Sequence, residues 1–211
     1  MMSDIKLPAA LVMVALVSAC GGSSGSSTSS TTPTVLTPTT PTTTAPSFAT
    51  MDTAAATAAA GVINLDTGAL LTAERTTLPT SGTATYDGYV GGDLSGGGSL
   101  IGELSLTADF GGSTVSGSAT NFQHDTAGAY TGTLTMAGGA ITPGALVTDP
   151  DTFSGSLDGT LTNGGTAQTT SLLLDGSFTG GTGTDVPTAV AGTADGTVGS
   201  EFLTGAFIAT R

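Results

Sequence analysis

The chain has no tryptophan, one histidine, one cysteine, and three basic residues against sixteen acidic ones. A single thiol cannot form an internal disulfide. A single imidazole, His124, leaves little room for nucleophile–base catalysis, which needs a positioned ring beside a serine. After Lys6 the only cations are Arg75 and Arg211, and the formal net charge is −13. Nucleic acid requires clustered Lys and Arg to neutralise phosphates, so it is excluded as a partner. An anionic lipid surface is an equally poor docking site. No lysine follows Lys6, so no phosphate-cradling glycine loop ends in one. Aromatic residues make up only 5% of the chain, too few for the two aromatic girdles of a transmembrane barrel.

What is present begins with a processing signal. Lys6 precedes an apolar run from Leu7 to Ala19. That run falls short of the roughly 20 residues that span a bilayer and fits the apolar core of an export signal. It ends Val17-Ser18-Ala19-Cys20-Gly21. This resembles the bacterial lipobox: an aliphatic residue, two small residues, then the cysteine that receives lipid. The expectation is a signal peptide over 1–19, lipidation of Cys20, and membrane attachment through that anchor, because each buried methylene contributes about 0.8 kcal/mol. Gly21 after the cysteine favours the outer membrane. The bland alternative is ordinary secretion with a free thiol.

Residues 20–47 are then a Ser/Thr/Pro-rich tether that cannot bury a core. Residues 48–81 are ambiguous: Ala54 to Ala60 favours helix, but Gly61, Val62 and Ile63 follow at once, and an extra strand is equally open. From 82 to 211 the chain alternates with a period of two. Leu104, Leu106, Ala108 and Phe110 interleave with Glu103, Ser105, Thr107 and Asp109; Phe153, Leu157 and Leu161 recur among polar neighbours, as do Leu134 and Met136. Such alternation puts one face in a core and the other in water. Turn signals are Gly111-Gly112, Gly138-Gly139, Asn163-Gly164-Gly165, Gly180-Gly181 and Asp195-Gly196. Gly132, Gly155, Gly159 and Gly176 sit within strand runs, where glycine permits the coiling of a small barrel. The fold class is therefore all-β: an antiparallel up-and-down barrel of about eight strands. Its last run, Glu201 to Thr210, is apolar on both faces. It is expected to pair with the first strand near Ala84–Val90, to fill the core with Phe202 and Phe207, and to be covered outside by the segment before Gly82.

Three stretches carry a resemblance to a family. They are Leu104-Ser105-Leu106-Thr107-Ala108-Asp109-Phe110 with Thr114-Val115-Ser116-Gly117-Ser118; Phe153-Ser154-Gly155-Ser156 with Leu174-Asp175-Gly176-Ser177-Phe178-Thr179-Gly180 and Ala189-Val190-Ala191-Gly192-Thr193; and the ending Gly205-Ala206-Phe207-Ile208-Ala209-Thr210-Arg211. Together they resemble the C-terminal β-barrel domain of transferrin-binding protein B, shared in outline with factor H-binding protein and haem-capturing surface lipoproteins. The resemblance covers one barrel. It implies a monomeric, surface-displayed binding module of the outer membrane that takes a protein or small-molecule ligand.

Candidate chemistry beyond Cys20 is sparse, and the reading is of a non-enzymatic protein without cofactor or metal. His124, in Asn121-Phe122-Gln123-His124-Asp125, reads as an exposed loop residue, with Ser116 and Ser118 its nearest serines. Haem capture would draw on His124 and on Tyr86, Tyr89 or Tyr130 as iron ligands. Gly180 to Val186 matches a single calcium β-roll repeat, which needs stacked copies to bind, so it reads as a turn. Asp149-Pro150-Asp151 reads as a solvated turn rather than a calcium site. The alternative function is a structural envelope lipoprotein with no dedicated ligand. An exposed hydrophobic loop tip would favour binding, and no compelling one is evident in the sequence.

Overall fold

The structure, a computed structural model, describes residues 45–64, 67 and 69–211. The expected signal peptide over 1–19, Cys20 and all but the last three residues of the expected tether lie outside the described residues. One helix, α1 (Phe48–Ala60), is followed by nine strands: β1 (Thr83–Leu94), β2 (Ser99–Asp109), β3 (Thr114–His124), β4 (Gly128–Tyr130), β5 (Leu134–Thr142), β6 (Thr152–Asn163), β7 (Thr166–Thr179), β8 (Ala189–Val198) and β9 (Glu201–Thr210).

All pairings are antiparallel between neighbours in the chain, and β9 returns to pair with β1, so eight strands close into an up-and-down barrel. The ninth, β4, pairs with the end of β3 just beyond the stretch that β5 takes, so β4 and β5 are one wall element broken at Gly132. The closing register runs from Asp87 opposite Thr210 to Leu94 opposite Leu203, further along the first strand than Ala84–Val90. Closure leaves no free sheet edge to pair with another chain.

The period of two is realised side chain by side chain. Leu104, Leu106, Ala108, Phe110, Leu134, Met136, Phe153, Leu157 and Leu161 all lie in one core inside the barrel. An aromatic cluster of Tyr86, Phe110, Phe153, Phe178 and Phe207 fills one end, with ring centroids 5.5–6.3 Å apart in tilted and edge-on contacts. Aromatic pairs prefer this geometry because the positive ring edge meets the negative face. In the final strand, Leu203, Phe207 and Ala209 point inward and Ile208 outward. Phe202 does not fill the core: it is 67% exposed. It shares the outer face with Ile208, but α1 reaches only Ile208.

The ambiguous segment begins as a helix. Ser47 caps it by accepting a hydrogen bond from the Thr50 amide, and the alanines supply propensity. Met51, Ala55 and Ala59 form a buried stripe of spacing four. Met51 and Ala55 pack on Ile101 of β2 with Tyr89 of β1 beside them; Ala59 and Val62 pack on Ile208 of β9 and Ala189 of β8. The helix therefore crosses the outside of the wall over the seam where first and last strands meet. Alanine suits that job, since small side chains let a helix lie close to a sheet.

Two predicted turns are not turns. Gly138-Gly139 lies within β5, at an irregularity between Thr135 and Ala140, and Asp195-Gly196 lies within β8. None of these glycines has positive φ, unlike Gly164, Gly165, Gly180 and Gly181 in the true connections. Strand glycines answer instead to close approach. A Cβ on Gly196 would meet the Ser171 carbonyl oxygen at 2.0 Å, and one on Gly192 the Asp175 oxygen at 2.0 Å. Inward-facing glycines thus let the walls coil tightly around bulky neighbours.

This separates two glycine classes experimentally. Gly192→Ala is expected to destabilise the barrel by about 1–3 kcal/mol, the typical cost of overpacking. Gly138→Ala, with nothing within 4 Å of its added methyl and no positive φ, should be neutral or stabilise by up to about 1 kcal/mol. Urea midpoints of the two variants check this; equal midpoints would remove the close-approach explanation.

Candidate functional site

The barrel has two unlike ends. At one, the connections are short hairpin turns: 95–98, 125–127, 164–165 and 199–200. At the other lie the β2–β3 turn (110–113), the β5–β6 loop (143–151), the β7–β8 loop (180–188) and the chain from 72 to 81 that leads into β1. The second is called the loop end below.

Arg75 organises the loop end. Only 5% of it is exposed. Its Nη1 donates to the Gly180 carbonyl at 2.9 Å, and Nη2 donates to the carbonyls of Thr77, at 2.9 Å, and Gly183. Its backbone N–H donates to Phe178 O at 2.8 Å, and its carbonyl accepts from Asp151 N at 2.7 Å. One residue thus ties together the 72–81 segment, the β5–β6 loop and the β7–β8 loop. A planar guanidinium with five N–H donors is suited to span several carbonyls at once. The neighbouring Thr179 hydroxyl adds bonds to the carbonyls of Thr72 and Ala73. Leu78 and Val186 pack against the core from above.

Beside this clamp the β5–β6 loop projects two apolar side chains, Leu146 at 66% exposure and Val147 at 90%. The loop is held in shape by its own carboxylates. Asp149 accepts from the Leu146 amide at 3.1 Å and returns its own N–H to the Leu146 carbonyl at 2.9 Å; Asp151 accepts from the Gly144 amide at 2.9 Å. Asp149-Pro150-Asp151 is therefore a loop brace, and Asp151 is buried rather than solvated. A cleft of about 530 Å³ runs alongside, lined by Leu78, Pro79, Phe110, Ile141, Pro143 and Leu146 among others. The sequence offered a signal for this tip, Ala145-Leu146-Val147 between Gly144 and Asp149, but exposure of an apolar triplet is decided by where its loop leaves the barrel.

The other singled-out residues are dispersed. His124 is not an exposed loop residue: it ends β3 and is 7% exposed. Its Nδ1 accepts from the backbone amides of Thr126 and Ala127, both at 3.1 Å, the Asp125 carboxylate lies 2.8 Å from the same nitrogen, and its ring stacks on Tyr130 at 6.2 Å. It braces the β3–β4 hairpin, and neither Ser116 nor Ser118 is among its hydrogen-bond partners. The buried Tyr86 donates its hydroxyl to the Pro187 carbonyl at 3.1 Å, at the loop end. Tyr89 lies outside the wall beside Phe48 and Met51. His124 and Tyr130 thus sit at the hairpin end, Tyr86 at the other and Tyr89 outside, so the candidate iron ligands share no site. The β-roll-like stretch is the β7–β8 loop, where Thr182 and Asp185 bond each other and two carbonyls serve Arg75. No group of three or more metal-ligating side chains gathers among the described residues.

A second groove, of about 610 Å³, lies between α1 and the outer wall, with Asp87, Tyr89 and Glu103 along it. Glu103 is held there by the Asn121 amide at 2.7 Å, Asn121 itself adopting a φ of 54° where β2 and β3 slip register. Asparagine tolerates this left-handed conformation better than most residues.

No family model matches the chain, and no curated protein matches it.

Two measurements test the loop-end architecture. Arg75→Met removes the donor from the buried Gly180 carbonyl and from the more exposed carbonyls of Thr77 and Gly183, and one unsatisfied buried polar group costs about 1–3 kcal/mol. Hydrogen exchange should accelerate in 72–81 and 180–188 while β6 stays protected; equal protection in variant and parent would mean the clamp is dispensable. Burial pushes the Tyr86 phenol up to about 12, despite the opposing pull of Arg211 and Arg75. Its phenol stays neutral in the folded state while the unfolded chain ionises near 10. The stability this confers is complete below pH 10 and is lost as pH rises from 10 through about 12. Absorbance titration should show a delayed tyrosine step that vanishes in Tyr86→Phe.

Proposed function

We propose that the chain is an outer-membrane surface lipoprotein, anchored by lipid on Cys20, whose barrel is a non-enzymatic binding module that engages a protein ligand through its loop end. The observation that carries the binding role is the rigid presentation of Leu146 and Val147. Exposing two adjacent apolar side chains on a braced loop costs solvation in the free protein, and contiguous exposed apolar surface marks interaction sites. A loop already ordered before contact loses less conformational entropy on binding. The barrel interior is filled with side chains, which favours a ligand held outside at one end over one enclosed within. The candidate general base, His124, is engaged in bracing a hairpin, which supports a non-enzymatic reading. The lipobox-like Val17-Ser18-Ala19-Cys20 supports the anchor, and the likeness of the strand motifs to the transferrin-binding protein B barrel points to a displayed binding domain.

Anchor and ligand are tested in the same cells. Cys20→Ala should abolish incorporation of labelled palmitate and either release the mature domain from the membrane fraction or leave an unprocessed precursor; continued palmitate labelling, or normal membrane retention of a processed chain, would overturn lipidation. A photo-crosslinking amino acid placed at Val147 should trap a discrete adduct on intact cells, whereas one at Thr160, on the outer wall, should not. Absence of any adduct at Val147 would instead favour a structural lipoprotein without a ligand.

A further inference from the structure

The loop end has a chemical character that narrows its partner, on the reading that this end binds protein. Its carboxylates are Glu74, Asp109, Asp149, Asp151 and Asp185; its only cations are Arg75 and Arg211. Arg75 is buried and donates to three carbonyls, so its charge is not presented to a partner. The one close contact between a basic side chain and a carboxylate among the described residues, His124–Asp125, lies at the opposite end. Arg211 is exposed but forms no ion pair among the described residues; Asp151 is buried, and the other four carboxylates outnumber that single presented cation, with the charge of −13 adding a field of the same sign.

An apolar tip inside an acidic rim rejects two of the three ordinary occupants. A second copy would bring like-charged rims together, at a cost of repulsion. An anionic lipid headgroup layer would repel the same rim. The occupant left is complementary in both respects. We infer that the loop end binds a protein segment with an apolar centre flanked by lysine or arginine. The apolar centre packs against Leu146 and Val147 and enters the cleft beside Leu78, Phe110 and Ile141. The flanking cations face Asp149, half-buried, and Asp185, exposed; each bonds within its own loop through one oxygen, and neither is in an ion pair. Apolar contact supplies most of the affinity, and the charges supply approach rate and selectivity.

The test is a selection of random dodecapeptides on phage against the detergent-solubilised full chain, with counter-selection on a Leu146→Ser/Val147→Ser variant. Both side chains are largely exposed, so this variant should fold as the parent does, which its melting curve verifies. The expected enriched peptides carry an aromatic or aliphatic residue flanked by two or more Lys or Arg. Their affinity should fall about tenfold in the double variant and at least about threefold when ionic strength rises from about 0.05 to 0.5 M. Neutral or acidic consensus peptides, no enrichment, or binding indifferent to the double substitution would each overturn the inference. So would flotation of the unlipidated Cys20→Ala chain with phosphatidylglycerol vesicles, which points to a membrane, or dimerisation lost on the double substitution, which points to a second copy. A crosslinked adduct at Val147 alongside any of the first three failures would leave the binding role standing and remove only this partner chemistry.

Discussion

The seam between β1 and β9 is the constraint on which the rest depends. Eight antiparallel strands, many of them rich in glycine, would leave two edges of unpaired backbone groups as an open sheet. Closing residues 87–94 against 203–210 satisfies both edges and turns one sheet face into an enclosed core. The closure is narrow, which explains the inward glycines. Where Phe207 and Phe122 occupy the lumen, the facing positions are Gly176 and Gly102, whose missing methyls leave room for the rings. Bulk at one inward position is matched by its absence at another, and that matching lets a small barrel be solid.

The helix and the segment after it finish what closure begins. The final strand is apolar on both faces, so pairing alone would leave Ile208 in water. The helix crosses the seam and buries it. The chain then passes to the loop end, where the Arg75 side chain binds carbonyls of the β7–β8 loop and of its own segment, and its backbone carbonyl accepts from the β5–β6 loop. A guanidinium among carbonyl oxygens is favourable here because three of its N–H groups find neutral acceptors, so no carboxylate has to be desolvated to pair with it. The residues between the tether and the barrel therefore reinforce the joint and cap one end, whereas the opposite end is capped by its own hairpins and the His124–Tyr130 stack.

The two ends consequently differ in what they can do. Short hairpins at one end leave little surface that could adapt to a partner. The longer loops at the other hold an apolar tip and a cleft, tied together by the hydrogen bonds of Arg75, Asp149 and Asp151. Loops positioned by a rigid scaffold are common sites of recognition, and the placement of Arg75 beneath these loops supplies that rigidity.

By itself, the sequence determined the all-β class, the alternating inward residues and the antiparallel barrel, because a period of two is a local property of the strand. It also carried the lipobox-like Val17-Ser18-Ala19-Cys20, which lies outside the described residues, and the balance of three basic against sixteen acidic residues. The tertiary structure decided everything that depends on neighbours distant along the chain. Glycine read alike in Asn163-Gly164-Gly165 and Asp195-Gly196, yet the first needs positive φ and the second needs room for an adjacent strand. Phe202 and Ile208 looked equivalent until the helix reached one and not the other. Arg75 had no local motif, since two of its three side-chain acceptors, the carbonyls of Gly180 and Gly183, lie more than a hundred residues along the chain. Leu146 and Val147 resembled any apolar pair, and only the direction in which their braced loop leaves the barrel put them in water.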